Sequence, residues 1–504
     1  MSEQRGFGGR APFRKVHPFW FGLLCALLVC ALGAGLFVVL RPLPRVTDGS
    51  EPYTADLSAV TDLIRRENDW VRAQETPYVS IAVMLPMDPA ASPASMQSTD
   101  SVRHALQGAY LAQYWSNHNE GDASAPNVQL LLADSSGGAD AWQTTVEELK
   151  EKAAGQEHLV AVTGLGSSVA GTEGAINDLV TAQIALVGSV ITSDRLAGKA
   201  TMVRVAPSNS AETRAIAHFL KERGAVTAVL VQDKNRSDSY TSTLAGAFTT
   251  AFADIVGRAK AANRLLDVPL TYDSSLDSAD TVLGQMPERI CNSGANVVFF
   301  AGRWRNLPPF LRALTRRTCA DRKITVVTGD DASNLNRAQP EPLWDDTRAN
   351  MEVYYTGLAH PAAWDSYPDA VQPAIANRFR RGIDSFGALF PEESLDDGQA
   401  IMHHDAMLTA IGVVDIFAAQ GKTRPSASAV ANLLTSAPFT VAAASGWISF
   451  DKQGNPVNKA MPILRLLPEG KVSFTELTSE SGDPPGRSEM DGRPGVPGGP
   501  GTSG

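Results

Sequence analysis

Hydroxyl and charged side chains follow several apolar runs of this chain, and they are the first candidates for binding chemistry. Ser167 and Ser168 lie beyond one run, and Ser189 to Thr192 lie beyond the next. Hydroxyl groups beside a helix start suit an anion, because first-turn N–H groups have no acceptor inside the helix. Arg303 and the Asp330-Asp331 pair follow two later runs. The carboxylates suit an ammonium group, and Arg303 suits a polar side chain on the same ligand. Together these residues suit the two ends of a zwitterion.

Seven short apolar runs, rich in Val and Ile, must position these side chains. They are Val79–Leu85, Val128–Leu132, Leu159–Val162, Ile184–Val187, Val226–Val231, Val297–Phe300 and Ile324–Val327. Continuous apolar runs are typical of parallel strands whose two faces are covered by helices. Helical patterns separate the runs, so the sequence predicts βαβ units and an α/β fold. Ligands of such sheets bind beyond the carboxyl ends of the strands.

The 504 residues are too many for one hydrophobic core, so two lobes are expected. Four runs come before the extended stretch 203–210 and three come after it, which predicts a crossing from one lobe to the other. Residues 352–357 suggest a return crossing. Asp451, Gly454 and Asn455 predict a turn between two strands, the second being 461–467.

Residues 18–40 carry no charge and are long enough to cross a bilayer as a helix. The basic residues before them favour an N-terminus inside the cell and the large part outside. A cleavable signal peptide is the alternative. The predicted organisation is a cytoplasmic tail (1–15), a transmembrane anchor (16–40), a juxtamembrane linker with a helix (41–76), a binding domain (77–475) and a disordered Gly/Pro-rich tail (476–504).

Cys291 and Cys319 each precede an apolar run of the exported part, where disulfides persist. If the two strands are parallel neighbours, both cysteines lie at one edge of the sheet and can be bonded. The bond would close a loop of roughly 28 residues and stabilise the fold by about 3 kcal/mol. Two free thiols are the alternative.

Several functions are disfavoured. The net charge is −10 with no basic stripe, which argues against a nucleic-acid partner. Gly164-Leu165-Gly166 is followed by Val169 where a dinucleotide loop needs glycine, and no nucleophile elbow is present. His403 and His404 are adjacent on a helical pattern and cannot both face one metal ion. We therefore expect no enzyme, no cofactor and no metal.

The order of these segments resembles the type I periplasmic-binding-protein family, specifically the branched-chain amino-acid (Leu/Ile/Val) receptors of ABC transporters. The segments that carry the resemblance are Arg204–Asn209, Val298–Gly302, Thr328–Asp331, Asp405-Ala406 and Gly446–Gly454. It implies two doubly wound parallel-sheet lobes joined by three hinge strands: lobe 1 at 77–206 plus 358–446 and lobe 2 at 207–352 plus 447–475. It also implies that ligand binds between the lobes, which close over it.

The resemblance implies a set of ligand-binding residues in this chain. Hydroxyls of the first lobe would hold an α-carboxylate, and Asp331 would pair with the ammonium. The full predicted set is Ser167, Ser168, Ile191, Thr192, Tyr240, Arg303, Trp304 and Asp331. Arg303 departs from the family pattern. It would place a positive charge beside the side-chain pocket, which does not suit an aliphatic ligand.

The resulting interpretation is a non-enzymatic, membrane-anchored, extracytoplasmic receptor. It would capture a small polar ligand such as an amino acid and deliver it to an ABC permease. The alternative is a ligand-sensing ectodomain that signals through a partner membrane protein.

Overall fold

The computed structural model describes residues 44–486 except 52, 93–94, 119–124, 138–139, 225, 338–340, 346–349 and 437–438. The predicted cytoplasmic tail and transmembrane helix lie outside the described residues, as does most of the predicted C-terminal tail.

The first sheet contains the first four apolar runs and defines lobe 1. Its strands are Val46–Thr47 (β1), Tyr78–Leu85 (β2), Asn127–Asp134 (β3), Leu159–Gly164 (β4), Ala185–Gly188 (β5) and Met202–Arg204 (β6). They are ordered β1-β3-β2-β4-β5-β6, and all except β1 are parallel. Ile81 and Val83 belong to one apolar cluster and Ala82 and Met84 to another, so helices cover both faces as the runs predicted.

The second sheet contains the other three runs and defines lobe 2. Its strands are Thr227–Asp233 (β7), Arg264–Leu265 (β8), Leu270–Tyr272 (β9), Val297–Ala301 (β10), Ile324–Thr328 (β11), Met351–Thr356 (β12), Met461–Leu466 (β15) and Val472–Thr478 (β16). Thr440–Ala443 (β13) and Gly446–Ser449 (β14) form a separate hairpin. The order is β16-β15-β12-β11-β10-β7-β8, with β9 also paired to β7. Strands β15 and β16 add an antiparallel edge.

Helices connect and cover the strands. They are Ser58–Ala73 (α1), Thr99–Asn117 (α2), Trp142–Ala154 (α3), Ala170–Thr181 (α4), Asn209–Lys221 (α5), Ser239–Ala251 (α6), Gly257–Ala259 (α7), Ala279–Ser293 (α8), Leu307–Leu314 (α9), Ala363–Ser366 (α10), Pro373–Arg380 (α11), Phe386–Leu389 (α12), Gln399–Ala418 (α13) and Ala427–Ser436 (α14). Side chains cap several starts: Ser98 accepts a hydrogen bond from the N–H of Ser101 at the start of α2.

The chain crosses between the sheets after β6, after β12 and between β14 and β15. The predicted two-lobed α/β architecture is thereby confirmed. The turn at 451–455 forms through a hydrogen bond from the N–H of Gly454 to the carbonyl of Asp451. The turn joins β14 to β15, as predicted, but these two strands do not pair with each other: β14 pairs with β13 and β15 pairs with β12. The lobe boundary therefore lies near this turn and not at 446–447.

The segment that the sequence assigned to a juxtamembrane linker is part of lobe 1. Strand β1 pairs with β3, and Leu57, Val60 and Ile64 of the α1 region are buried in the lobe 1 core. The apolar stripe of α1 packs on the sheet and does not serve as a spacer. At the other end, β16 continues to Thr478, so ordered structure extends past the predicted limit of 475.

Helix α13 is also long and apolar enough to cross a membrane, yet 78% of its apolar window is buried in the protein. It packs against α2 in the core of lobe 1. Among the described residues it is the one helix that meets this length and composition test.

The predicted disulfide between Cys291 and Cys319 is confirmed, with Cα atoms 5.6 Å apart. Cys291 lies in the last turn of α8 and Cys319 precedes β11. Because β10 and β11 are parallel neighbours, the bond lies at their amino ends, opposite the strand tips.

Candidate ligand-binding cleft

Each sheet has a switch point, where successive connections leave a strand in opposite directions. In lobe 1 this point lies between β2 and β4, and in lobe 2 it lies between β7 and β10. Residues following all four of these strands line one cavity of ≈ 710 Å³, here called the interlobe cavity. Parallel α/β sheets bind ligands at such points, and 300–1,000 Å³ is a usual volume for a ligand site.

Both lobes contribute to the wall of the interlobe cavity. Lobe 1 supplies Met84, Pro86, Ser92, Ser95, Met96, Ser135, Gly137, Asp140, Trp142, Leu165, Gly166, Ser167, Val169, Ala170, Gly171 and Thr172. Lobe 2 supplies Asn235, Ser237, Asp238, Ser274, Ser275, Arg303, Arg305 and Asn306. Hydroxyl groups and apolar side chains dominate this wall.

The loop between β4 and α4 brings Ser167 to this wall through a left-handed turn. Gly164, Leu165 and Gly166 have φ values of 86°, 72° and 68°. Glycine adopts positive φ without a steric penalty, whereas leucine does so at a cost and is uncommon there. The two glycines therefore allow the chain to reverse between the strand tip and the helix start.

A second, much smaller space adjoins the cavity and is here called the strand-tip pocket. Its volume is ≈ 20 Å³, which is room for about one water molecule. Its walls are Gln97, Ser167, Ser168, Val190, Thr192, Tyr240, Arg303, Asp330, Asp331, Ser333, Asn334 and Gln399. Ser167 and Arg303 line both spaces, so the two are neighbours.

Six of the eight predicted residues line one or both spaces: Ser167, Ser168, Thr192, Tyr240, Arg303 and Asp331. Ile191 does not, because its side chain is fully buried in the lobe 1 core against Gly188. Val190 and Thr192, its neighbours in the chain, line the pocket instead. The side chain of Ile191 therefore reaches neither space.

Trp304 also lies outside both linings. Its indole Nε1–H donates to the carbonyl of Met96, 2.8 Å away, and so connects lobe 2 to lobe 1. Its backbone N–H donates to Asp331 Oδ2 at 2.7 Å. Trp304, predicted as a ligand-binding residue, thus makes a contact between the lobes.

Arg303 is bound by two carboxylates in a buried group, here called the Arg303 triad (Arg303, Asp238 and Asp331). Its Nε and Nη2 donate to the two oxygens of Asp238 at 2.6 and 2.9 Å, and its Nη1 donates to Asp331 Oδ1 at 2.8 Å. Nη2 also donates to the carbonyl of Ser168 in lobe 1 at 3.1 Å. The guanidinium lies over the Tyr240 ring, 4.3 Å from its centroid.

The electrostatics of the triad follow from burial and pairing. Burial disfavours the charge of Arg303, but the attraction of Asp238 and Asp331 outweighs it and raises the pKa of Arg303 above its ordinary value. Burial raises the pKa of Asp331, and Arg303 offsets part of that rise. The carboxylate expected to receive a ligand ammonium is therefore already paired within the chain.

Glu212, which the sequence analysis missed, lies next to Asp330 of the strand-tip pocket. Glu212 Oε2 accepts from the N–H of Asp330 at 3.1 Å and from the hydroxyl of Thr356 at 2.8 Å. Burial, together with Asp331, raises the pKa of Asp330 to about 7. Burial and the nearby Asp330 raise the pKa of Glu212 well above its ordinary value.

Further hydrogen bonds connect the lobes around the two spaces. The backbone N–H of Ser98 donates to Asn334 Oδ1 at 3.1 Å, and the hydroxyl of Ser101 donates to the same oxygen at 2.9 Å. Thr192 donates to Asp330 Oδ1 at 3.4 Å, and the N–H of Ala170 donates to the carbonyl of Ser237 at 3.1 Å. The lobes are therefore in direct contact at the strand tips.

Asp238 and Gln97 are further cleft residues that sequence analysis missed. Asp238 could have been suspected, because it precedes the hydroxyl-rich start of α6 and caps it through the N–H of Thr241. Gln97 lies in a Pro- and Ser-rich loop without periodic pattern, which offers no such signal. Among the described residues, no three His, Cys, Asp or Glu side chains are arranged to hold a metal ion.

No protein-family model matches this sequence, and no curated protein matches it. Solved structures do match. A leucine-binding protein of Thermotoga maritima is 16% identical with a TM-score of 0.57, covering 79% of this chain and 98% of its own. An ABC-transporter substrate-binding protein of Desulfitobacterium hafniense in complex with leucine is 16% identical with a TM-score of 0.56, covering 79% and 100%.

The similarity extends to a structure with a different ligand. A solute-binding protein of an ABC transporter from Rhodopseudomonas palustris, in complex with 3,4-dihydroxybenzoic acid, is 12% identical with a TM-score of 0.55, covering 81% of this chain and 99% of its own. Identities this low establish the fold alone. This chain therefore has the type I periplasmic-binding-protein fold, which it shares with the solute-binding proteins of ABC transporters.

Proposed function

We propose that this chain is an extracytoplasmic solute receptor that captures a small organic molecule in the interlobe cavity and delivers it to an ABC permease. The observation that carries the proposal is the cavity of ≈ 710 Å³ at the facing switch points of both lobes. A ligand that contacts both walls binds the closed arrangement more tightly than an open one. That difference in affinity is what drives closure.

The N-terminal sequence and the disulfide support the location. Residues 18–40 would anchor the protein with its N-terminus inside, and the binding domain would lie outside the cytoplasmic membrane. The bond between Cys291 and Cys319 is stable in an oxidising compartment of this kind. A receptor in this position needs no catalytic group, and its fold relatives named above are solute-binding proteins.

A thermal-shift screen of the purified full-length chain in detergent tests this function. The ligands would include amino acids, organic acids, sugars and short peptides. A ligand present at a hundredfold excess over its Kd should stabilise the protein by about 2.7 kcal/mol.

A pair of variants assigns any ligand to the cavity. Ser237→Trp places a large side chain at the cavity wall, and Ser242→Trp is the matched control because this exposed serine of α6 lines neither space. We expect Ser237→Trp to abolish the thermal shift and Ser242→Trp to retain it. A complete absence of ligands, or an undiminished shift in Ser237→Trp, would contradict the proposal.

A further inference from the structure

We propose that Arg303 makes this receptor selective for organic carboxylates that lack an α-ammonium group, over amino acids. The inference rests on the proposed receptor function and names the ligand class of the same cleft. It depends on which charged and polar groups of the cleft already have partners and which do not.

The carboxylates of the cleft are committed to internal partners. Asp238 and Asp331 both bind Arg303, and Asp238 in addition caps α6, whose N-terminal dipole offsets part of its charge. A ligand ammonium placed on Asp331 would lie next to the guanidinium that already donates to the same carboxylate at 2.8 Å. The ammonium and the guanidinium would then share one carboxylate, and the repulsion between two like charges is strong in a buried site. Asp330 is engaged by Thr192, and Asp140 is exposed to solvent at the rim.

Donor groups of the cavity, in contrast, lack acceptors. The hydroxyls of Ser167 and Thr172 make no hydrogen bond with any described residue. Helix α4 spans twelve residues and has no side-chain cap, so the first-turn N–H groups of Gly171 and Thr172 have no helical acceptor. All of these residues line the interlobe cavity. Such an arrangement favours an anion.

Two further observations support an anionic ligand. Gln97 is 3% exposed, faces the strand-tip pocket beside Ser167, and neither of its side-chain polar atoms has a partner. Arg305 lines the cavity, and its guanidinium contacts the Trp304 ring at 5.4 Å without pairing to a carboxylate of the described residues.

The rest of the wall would receive an apolar body. Met84, Met96, Leu165 and Trp142 line the same cavity as the unpaired donors. The ligand class is therefore a carboxylate that carries an aliphatic or aromatic group.

Matched ligand pairs test the selectivity directly. Calorimetry on the full-length chain in detergent would compare 4-methylpentanoate with L-leucine, and 3-phenylpropanoate with L-phenylalanine. Each pair shares a carbon skeleton and differs in the ammonium. We expect the carboxylate of at least one pair to bind tenfold or more tightly than its amino acid.

Two variants separate the roles of the arginines. Arg303→Gln releases Asp238 and Asp331, so amino-acid affinity should rise tenfold or more relative to the carboxylate. Arg305→Gln should weaken carboxylate binding severalfold. The ratio of carboxylate affinity to amino-acid affinity within each pair should stay as in the unaltered chain, because Arg305 does not compete with a ligand ammonium for Asp331.

Tighter binding of either amino acid to the unaltered chain would overturn the inference, and this comparison needs no variant to fold. A ligand without a carboxylate, found in the wider screen, would also overturn the inference while leaving the receptor function standing. If nothing binds, the receptor function itself fails.

Discussion

Replacement of Arg303 by glutamine should destabilise the folded protein by about 3–5 kcal/mol at pH 7. Arg303 is 4% exposed and makes four hydrogen bonds, three of them to carboxylates. Removing one partner of a buried ion pair leaves uncompensated charge, and losses of this size are typical. Glutamine keeps much of the side-chain volume, so the loss reports mainly on charge.

The pH dependence of this loss provides a second, independent measure. Without Arg303, burial should raise the folded-state pKa of Asp331 further above the unfolded value. A carboxyl with a raised folded-state pKa binds its proton more tightly in the folded chain, so stability recovers as the pH falls. Each carboxyl that becomes protonated can restore up to about 2.7 kcal/mol between pH 7 and pH 5.

Urea unfolding of the full-length chain, followed by circular dichroism at pH 7 and pH 5, measures both effects. Arg305→Gln is the matched control, because Arg305 is exposed and pairs with no carboxylate of the described residues, so its loss should stay within about 0.5 kcal/mol. A double variant that also carries Asp331→Asn should recover part of the deficit. A loss in Arg303→Gln below about 1 kcal/mol, or one that does not shrink at pH 5, would refute this account of the triad.

Three other effects can be measured in the same unfolding assay. His104 lies 2.6 Å from a carboxylate oxygen of Asp397, and its pKa is raised to about 10. Its stabilisation should be complete below the unfolded value near 6.5 and be lost as the pH rises towards 10, so His104→Gln should cost more stability at pH 6 than at pH 10. Replacing Cys291 and Cys319 with serine should cost about 3 kcal/mol, and a reductant should affect only the unaltered chain. Ile64→Ala should cost about 2–5 kcal/mol because α1 belongs to the lobe 1 core, whereas a linker helix would show almost no change.

The sequence predicted the strands well, because their signal is local. A run of consecutive apolar residues is sufficient to indicate a strand covered on both faces, and the structure has strands at every predicted run. The helix in 41–76 was also predicted, but not its place in lobe 1. An amphipathic stripe such as that of Leu57, Val60 and Ile64 shows that a helix packs on something, without showing what.

The location of the candidate site at the strand tips could be predicted from the sequence, but the contacts of its side chains only in part. Strand tips lie at the same edge of a parallel sheet, which is why Ser167, Thr192 and Asp331 could be expected near one cleft. The direction of Ile191 depends on the exact path of the segment after β5, which no residue type reveals. The binding role of the predicted residues stays a prediction for the variants above.

By itself, the sequence indicated the alternation of strands and helices, the division into two lobes, and a pairing of Cys291 with Cys319 on the condition that their strands are parallel neighbours. All of these follow from local apolar pattern and from the parallel order of neighbouring strands. Only the tertiary structure decided that Arg303 binds Asp238, 65 residues away, together with Asp331, 28 residues away. The sequence does not show which residue a charged side chain pairs with, because pairing depends on distances set by the packing of whole lobes. Arg303 was expected to face a ligand, and the structure shows that its guanidinium binds the carboxylates of Asp238 and Asp331 in the cleft.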